Sequence, residues 1–206
     1  MAINEQLLDK ALNLLKKATQ TNSKCARAAL LRARIYIMQH RYQVAIEPLQ
    51  QILEQDKAVV SEGLLMLQEC YQHLNEQAGW VLFLERCVAR ETGETAELLL
   101  ADIIDQQQGR VAAQLFVQQI LAKRPSYELF YRLMDYYISE AEKGRARESL
   151  ILLRNIVGEQ ITRTPHYCCQ KCGFTINTLY WQCPSCRHWE TVKPNHYLRF
   201  QLLSAA

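Results

Sequence analysis

Apolar residues recur at intervals of three and four along roughly the first 160 residues, the spacing that lines one face of a helix. The faces themselves return on a longer beat. Tyr36 and Ala45 stand nine residues apart, one in each of two successive predicted helices. The pair returns as Tyr71 and Trp80, as Ile104 and Ala113, and as Tyr137 and Ala146, in steps of 35, 33 and 33 residues. Just ahead of each pair sit Ala33, Gln68, Ala101 and Met134, where the first helix must come close to the second. After each pair come Leu49 and Ile52, Leu84 and Cys87, Val117 and Ile120, Leu150 and Leu153, an apolar stripe for the second helix. "HRY", "NEQAG", "QQQG" and "EKGR" read as the turns between them, and Pro125 stands just before a new helix.

A period of about 34 residues built from two helices is the mark of tetratricopeptide repeats. Four units keep the register, although Gln68 and Trp80 fall where such repeats usually place small residues. "LLDKALNLLKKAT" places Ala11, Leu15 and Ala18 one period before Ala45, Leu49 and Ile52, so it reads as a second helix without its first. Half a repeat leaves an apolar face to be covered. The expectation is a longer natural chain, with further repeats or a membrane anchor upstream. The fold class is therefore mainly α: a solenoid of helix pairs over residues 1–160, with the last repeat ending near Gly158.

Composition agrees. Hydrophobic residues make up 49% and charged residues 22%, and glycine (7) and proline (5) are too scarce for an all-β chain. The net charge of +3 is uneven, near −1 before Gln160 and near +4 after it, from Arg163, Lys171, Arg187, Lys193 and Arg199 against Glu190. So thin a basic tail favours a solvated surface over a nucleic-acid site. No run approaches the roughly 20 apolar residues a membrane helix needs, so the chain as given is expected to be soluble.

In a repeat of this class, positions two, five, nine and twelve of each first helix line the concave surface. Counting from Ala26, Ser61, Glu94 and Tyr127 puts Arg27 and Arg34, Glu62 and Glu69, Asp102 and Asp105, then Glu128 and Asp135 on that surface. A groove basic at its start and acidic thereafter suits a basic peptide or protein surface. Enzymatic constellations are absent from this reading. His40 and His73 fall at turns, and Asp102 and Asp105, one helical turn apart, lack a pocket that excludes water. Cys25, Cys70 and Cys87 serve as small apolar residues on helices.

The chemistry sits near the other end. Five of the eight cysteines lie in "YCCQKCGFTINTLYWQCPSCRHW", spaced Cys169-x-x-Cys172, ten residues, Cys183-x-x-Cys186. Two such knuckles supply the four thiolates of a tetrahedral ion, zinc or iron, and leave no open position for substrate. Gly173 suits the turn of the first knuckle and Pro184 stiffens the second. "FTINTLYW" between them reads as a short hairpin. Cys168 breaks the spacing, and His166 and His188 are surplus to a complete shell. The metal domain, residues 163–206, is too small for a core of its own and gains its stability from the ion. With so short a tether it is expected to dock on the last repeat and cover Leu152, Leu153, Ile156 and Val157 through Tyr180, Trp181 and Trp189.

Degenerate repeats followed by "CQKCGFTINTLYWQCPSCRHW", together with "LLMLQECYQ", "AELLLADII" and "LMDYYISEAEKGRARESL", resemble the lipopolysaccharide assembly protein B family of Gram-negative bacteria, over essentially the whole chain. The resemblance implies a rubredoxin-like C-terminal domain whose ligands map onto Cys169, Cys172, Cys183 and Cys186, with Cys168 outside the pattern. It implies a cytoplasmic fragment of a protein held to the inner membrane by a missing N-terminal helix. It also implies a non-enzymatic adaptor for the membrane-bound AAA protease that degrades the lipid A pathway deacetylase, antagonised by an inner-membrane sensor protein. A homodimer stays open. The gap between knuckles is shorter than in rubredoxin proper, which argues against electron transfer. Two other readings of the residues remain: an iron redox module, and a nucleic-acid-binding zinc ribbon.

Overall fold

A computed structural model of the chain describes residues 5–195. The chain divides into two compact units, Met1–Ala96 and Glu97–Ala206. The first holds α1 (Glu5–Thr21), α2 (Ala26–Met38), α3 (Tyr42–Gln55), a 3₁₀ turn (Lys57–Val59), α4 (Ser61–His73), α5 (Gln77–Ala89) and the first residues of α6 (Glu94–Gln108). Ala26, Ser61, Glu94 and Tyr127, the expected first positions of the repeats, each open a helix.

One turn, used twice, links the helices of a pair in this unit. His40 and Asn75, 35 residues apart, both adopt left-handed backbone, with φ of 56° and 54°. The next amide, of Arg41 or Glu76, donates back to the carbonyl of Tyr36 (2.8 Å) or Tyr71 (3.0 Å). A left-handed residue just past the helix end satisfies carbonyls the helix leaves orphaned. Tyr36 is buried, as are Ala33 and Ala45, in one pair, and Tyr71 is buried, as are Cys70 and Trp80, in the next. Trp80 is tolerated because the residue before it is Gly79. A Cβ there would lie 2.7 Å from the Tyr71 ring, whose centroid is 6.2 Å from that of Trp80. Gly63 plays a similar part, its missing Cβ leaving room for Ile52, Leu49 and Leu30.

The second unit holds the rest of α6, then α7 (Arg110–Lys123), α8 (Tyr127–Glu140), α9 (Arg145–Arg163) and three short strands, β1 (Tyr167–Cys169), β2 (Thr175–Ile176) and β3 (Val192–Pro194). Ala101, Ala113, Val117 and Leu129 form its helical core. Glu97, almost wholly buried, pairs with Arg124.

Three expectations fail in this unit. The fourth repeat keeps the spacing but not the burial: Tyr137 and Ala146 are exposed, and Tyr136 and Ile138 are buried instead. In this unit a strand ribbon, rather than another helix pair, follows the fourth repeat. The last helix also runs five residues past Gly158, to Arg163. Gly158 is no helix stop; a Cβ there would lie 3.1 Å from the Tyr131 ring of α8. The longer helix carries the ribbon about 7 Å further along its axis. The ribbon consequently leaves the side of α9 uncovered: Leu152, Leu153 and Ile156 keep 50–62% exposure, with Tyr180 at 46% and Trp189 at 60%.

Candidate metal centre

The ribbon is a three-stranded antiparallel sheet in the order β2-β1-β3, with Tyr167 opposite Ile176 and Pro194 and Cys169 opposite Val192. The hairpin expected within "FTINTLYW" is not formed. The knuckle turns the chain back so early that Thr175 and Ile176 pair with β1, which precedes the knuckle.

The two knuckles are copies. In the first, Cys169 N donates to Phe174 O (2.8 Å) and Gly173 N donates to Cys169 O (2.8 Å). In the second, Cys183 N donates to His188 O and Arg187 N donates to Cys183 O, both at 2.9 Å. Gly173 and Arg187 hold the same place in the turn, with φ of 73° and 58°. Glycine was legible there; the left-handed arginine was not.

These turns bring Cys169, Cys172, Cys183 and Cys186 together, with all four sulfurs within 4.8 Å of one another. Cys169 Sγ to Cys186 Sγ and Cys172 Sγ to Cys183 Sγ both measure 3.7 Å. That is far beyond a disulfide and matches the roughly 3.8 Å edge of a tetrahedron of sulfurs about 2.3 Å from a central ion. Cys169 and Cys183 are buried with Val192, and Tyr167, Ile176 and Leu179 pack around them.

The donor set fits a cation electrostatically as well. Burial opposes charge on Cys169, yet its hydrogen bond with the Thr191 hydroxyl, 3.2 Å away, and those from the amides of Cys172 and Lys171 bring the thiol down to about 6. The His188 amide also favours the thiolate of Cys186, but burial and the thiols of Cys172, Cys183 and Cys169 outweigh it and push that group up to about 11. Thiolates this close cannot all ionise without a central positive charge.

The surplus candidates fall away. Cys168 precedes Cys169 on β1, so its side chain leaves the opposite face of the sheet. Both ring nitrogens of His188 are engaged, Nδ1 with Cys186 O at 2.8 Å and Nε2 with Lys171 Nζ. Cys70 and Cys87 are buried in the helices, and burial pushes both thiols up to about 11.

The expected groove residues are placed differently in the two units. In the first, Arg34 and Glu69 are exposed and Arg27 and Glu62 half-buried. In the second, Glu128 accepts from the Ser126 hydroxyl at 2.9 Å, and three aspartates meet arginines. Asp102 pairs with Arg132, Asp105 with Arg110 (2.9 Å) and Asp135 with Arg154 (2.8 Å). Arg110 and Arg132 also lie over the Tyr136 ring, at 4.7 and 5.9 Å. This face therefore carries paired charge rather than a bare acidic strip. Sequence reasoning missed the arginines because they lie 5 to 30 residues away from their partners.

Residues 167–194 match the family described as a rubredoxin metal binding domain, and residues 2–69 match the tetratricopeptide repeat family. Lipopolysaccharide assembly protein B of Escherichia coli (strain K12) is 49% identical over 187 residues, 91% of this chain and 48% of that protein. The protein of the same name from Haemophilus influenzae is 43% identical over 182 residues, 88% of this chain and 46% of that protein. The crystal structure of MamA aligns with 76% of this chain and 90% of its own at 16% identity and a TM-score of 0.45, too loose a likeness to bear on function. The chain spans about half the length of the curated relatives it matches. Over some nine-tenths of its length, repeats and four-cysteine ribbon included, it is a homologue of lipopolysaccharide assembly protein B.

Proposed function

We propose that the chain is the cytoplasmic part of a non-enzymatic adaptor in lipopolysaccharide biosynthesis. Residues 1–160 bind protein partners, and residues 163–206 form a metal-stabilised module beside them. The observation that carries the reading is sequence identity of 43–49% along both parts to relatives named for lipopolysaccharide assembly. The partners are the membrane-bound AAA protease and the lipid A pathway deacetylase whose breakdown it promotes, with an inner-membrane sensor protein opposing it. Attachment to the inner membrane comes from a helix outside this sequence; among the described residues, no helix is long and apolar enough to cross a membrane.

Cys169, Cys172, Cys183 and Cys186 hold one ion, zinc or iron, in a closed shell that supplies structure and offers no coordination site to a substrate. Two measurements test the reading. Elemental analysis with a visible spectrum should find one equivalent of metal per chain, colourless if zinc; red, reducible iron would move the ribbon to electron transfer. In cells lacking the adaptor, this chain fused to a membrane helix should shorten the half-life of the deacetylase. An unchanged half-life, with the protein folded and metal-loaded, would sink the adaptor function.

A further inference from the structure

The four cysteines of the ribbon are not equally sheltered. Cys169 and Cys183, which open the two knuckles, are buried. Cys186, which closes the second, is half-buried and packs against that pair and Val192. Cys172, which closes the first, is exposed, and so is every residue around it from 170 to 175. A Cβ on Gly173 would meet nothing within 4 Å, so the loop beside Cys172 opens to solvent. Two turns with the same backbone hydrogen bonds thus shelter their second cysteines differently.

That difference decides reactivity. A thiolate that solvent cannot reach is inert, whereas an accessible one is a nucleophile toward small oxidants. The exposed sulfur also has a second sulfur in reach, since Cys172 Sγ lies 3.7 Å from Cys183 Sγ. A disulfide requires that gap to close to about 2.05 Å. Cys172 stands on the exposed loop and can make the movement while Cys183 stays in the buried centre.

We infer that Cys172 is an oxidation site for hydrogen peroxide, and that the disulfide it then forms with Cys183 releases the ion from the ribbon. This rests on the reading that the four cysteines hold an ion. The Cys172 thiolate attacks one peroxide oxygen, the O–O bond breaks, and hydroxide leaves a sulfenic acid behind. The Cys183 thiolate attacks that sulfur, the S–S bond forms, and a second hydroxide leaves. The two sulfurs lose two electrons, and the peroxide gains them and ends, with two protons, as two waters. Cys169 and Cys186 remain, half of the shell a tetrahedral ion needs. A thiol reductant reverses the step by exchange. Cys168, on the opposite face of β1, takes no part.

The experiment uses the full chain loaded with one equivalent of zinc and titrated with hydrogen peroxide. A chromophoric chelator reads released zinc, and alkylation followed by peptide mass spectrometry reads the cysteines. One zinc should leave for each Cys172–Cys183 disulfide formed, and dithiothreitol with added zinc should restore the starting protein. Before peroxide is added, N-ethylmaleimide should label Cys172 at least about tenfold faster than Cys183. Cys168→Ser, which keeps all four ligands, should release zinc at the same peroxide dose. Zinc retained while peroxide oxidises other cysteines, or released with a first disulfide that lacks Cys172, would overturn the inference. Release abolished by Cys168→Ser would overturn it too, by giving the attack to that residue. A reduced chain that takes up no zinc would instead fail the metal reading itself, and the inference with it.

Discussion

Gly173 and Arg187 occupy one position in two copies of the same turn, and only one of them is the residue that turn prefers. A side chain held at positive φ costs roughly 1–2 kcal/mol that glycine does not pay. Arg187→Gly should therefore stabilise the metal-loaded ribbon by about 1 kcal/mol, and Gly173→Ala should destabilise it by a similar amount. A chelator titration reads both, as about a fivefold shift in the half-release concentration in opposite directions. Equal chelator sensitivity in all three proteins would mean that the knuckle turns do not limit metal retention.

Cys70 and Cys87 give a residue-scale prediction with a defined sign. Burial raises both thiols from the ordinary 9 to about 11, so folding favours their protonated form. Their contribution is fully present below pH 9 and is lost as pH rises through 11, because the unfolded chain releases its protons first. The helices should lose stability between pH 9 and 11, by up to about 2 kcal/mol per thiol. Cys70→Ala/Cys87→Ala should flatten that limb of the stability–pH curve, measured by urea unfolding. The cavity each substitution leaves lowers the whole curve and leaves its slope alone.

At the scale of the element, Glu97 is the clearest case of a residue whose role no local pattern could disclose. It lies at 2% exposure near the start of α6, and its partner Arg124 is 27 residues away at the end of α7. Removing one member of a buried pair strands the other charge. Glu97→Ala should cost about 3 kcal/mol, and Glu97→Ala/Arg124→Leu should recover much of that loss, since the stranded guanidinium is gone. Thermal melts of the three proteins check this; a double variant no better than the single one would show that the pair itself, rather than the orphaned charge, matters. Gly158→Leu tests the other element-scale finding. A larger side chain against Tyr131 should lower stability by about 1–3 kcal/mol through forced separation of α8 and α9.

Those two sites mark what the sequence did not show; elsewhere it was readable. Helix starts at Ala26, Ser61, Glu94 and Tyr127 followed from a 34-residue beat, because each repeat solves the same packing problem with residues adjacent in the chain. The four cysteines were legible for the same reason: a knuckle is a local turn, and its spacing is its geometry. What escaped was set by neighbours distant in sequence. Tyr131 turns Gly158 from a terminator into a contact, and Arg132 and Arg154 neutralise aspartates that periodicity marked as open groove.

At the scale of the whole chain, the expectation of a ribbon that caps the solenoid and the structure of α9 lead to different outcomes when the metal is removed. Were the ribbon the cap, releasing the ion would uncover the last helix pair and lower the helical melt. In the structure the ribbon's buried centre is Cys169, Cys183 and Val192, with Tyr167, Ile176, Leu179 and Cys186 around it, and no helical residue is among them. Leu152, Leu153 and Ile156 are exposed with the ribbon in place. Stripping the metal with a strong chelator should therefore unfold residues 167–194 while the helices persist. Trp181 and Trp189 lie in the ribbon and Trp80 in the helical core, so emission from the first two should change while circular dichroism at 222 nm falls by less than a tenth. Cys183→Ser should behave as the stripped protein does without chelator. Helical signal lost in step with the metal would mean that the four-thiolate ion stabilises the repeats themselves, with the ribbon and the last helix pair melting as one unit.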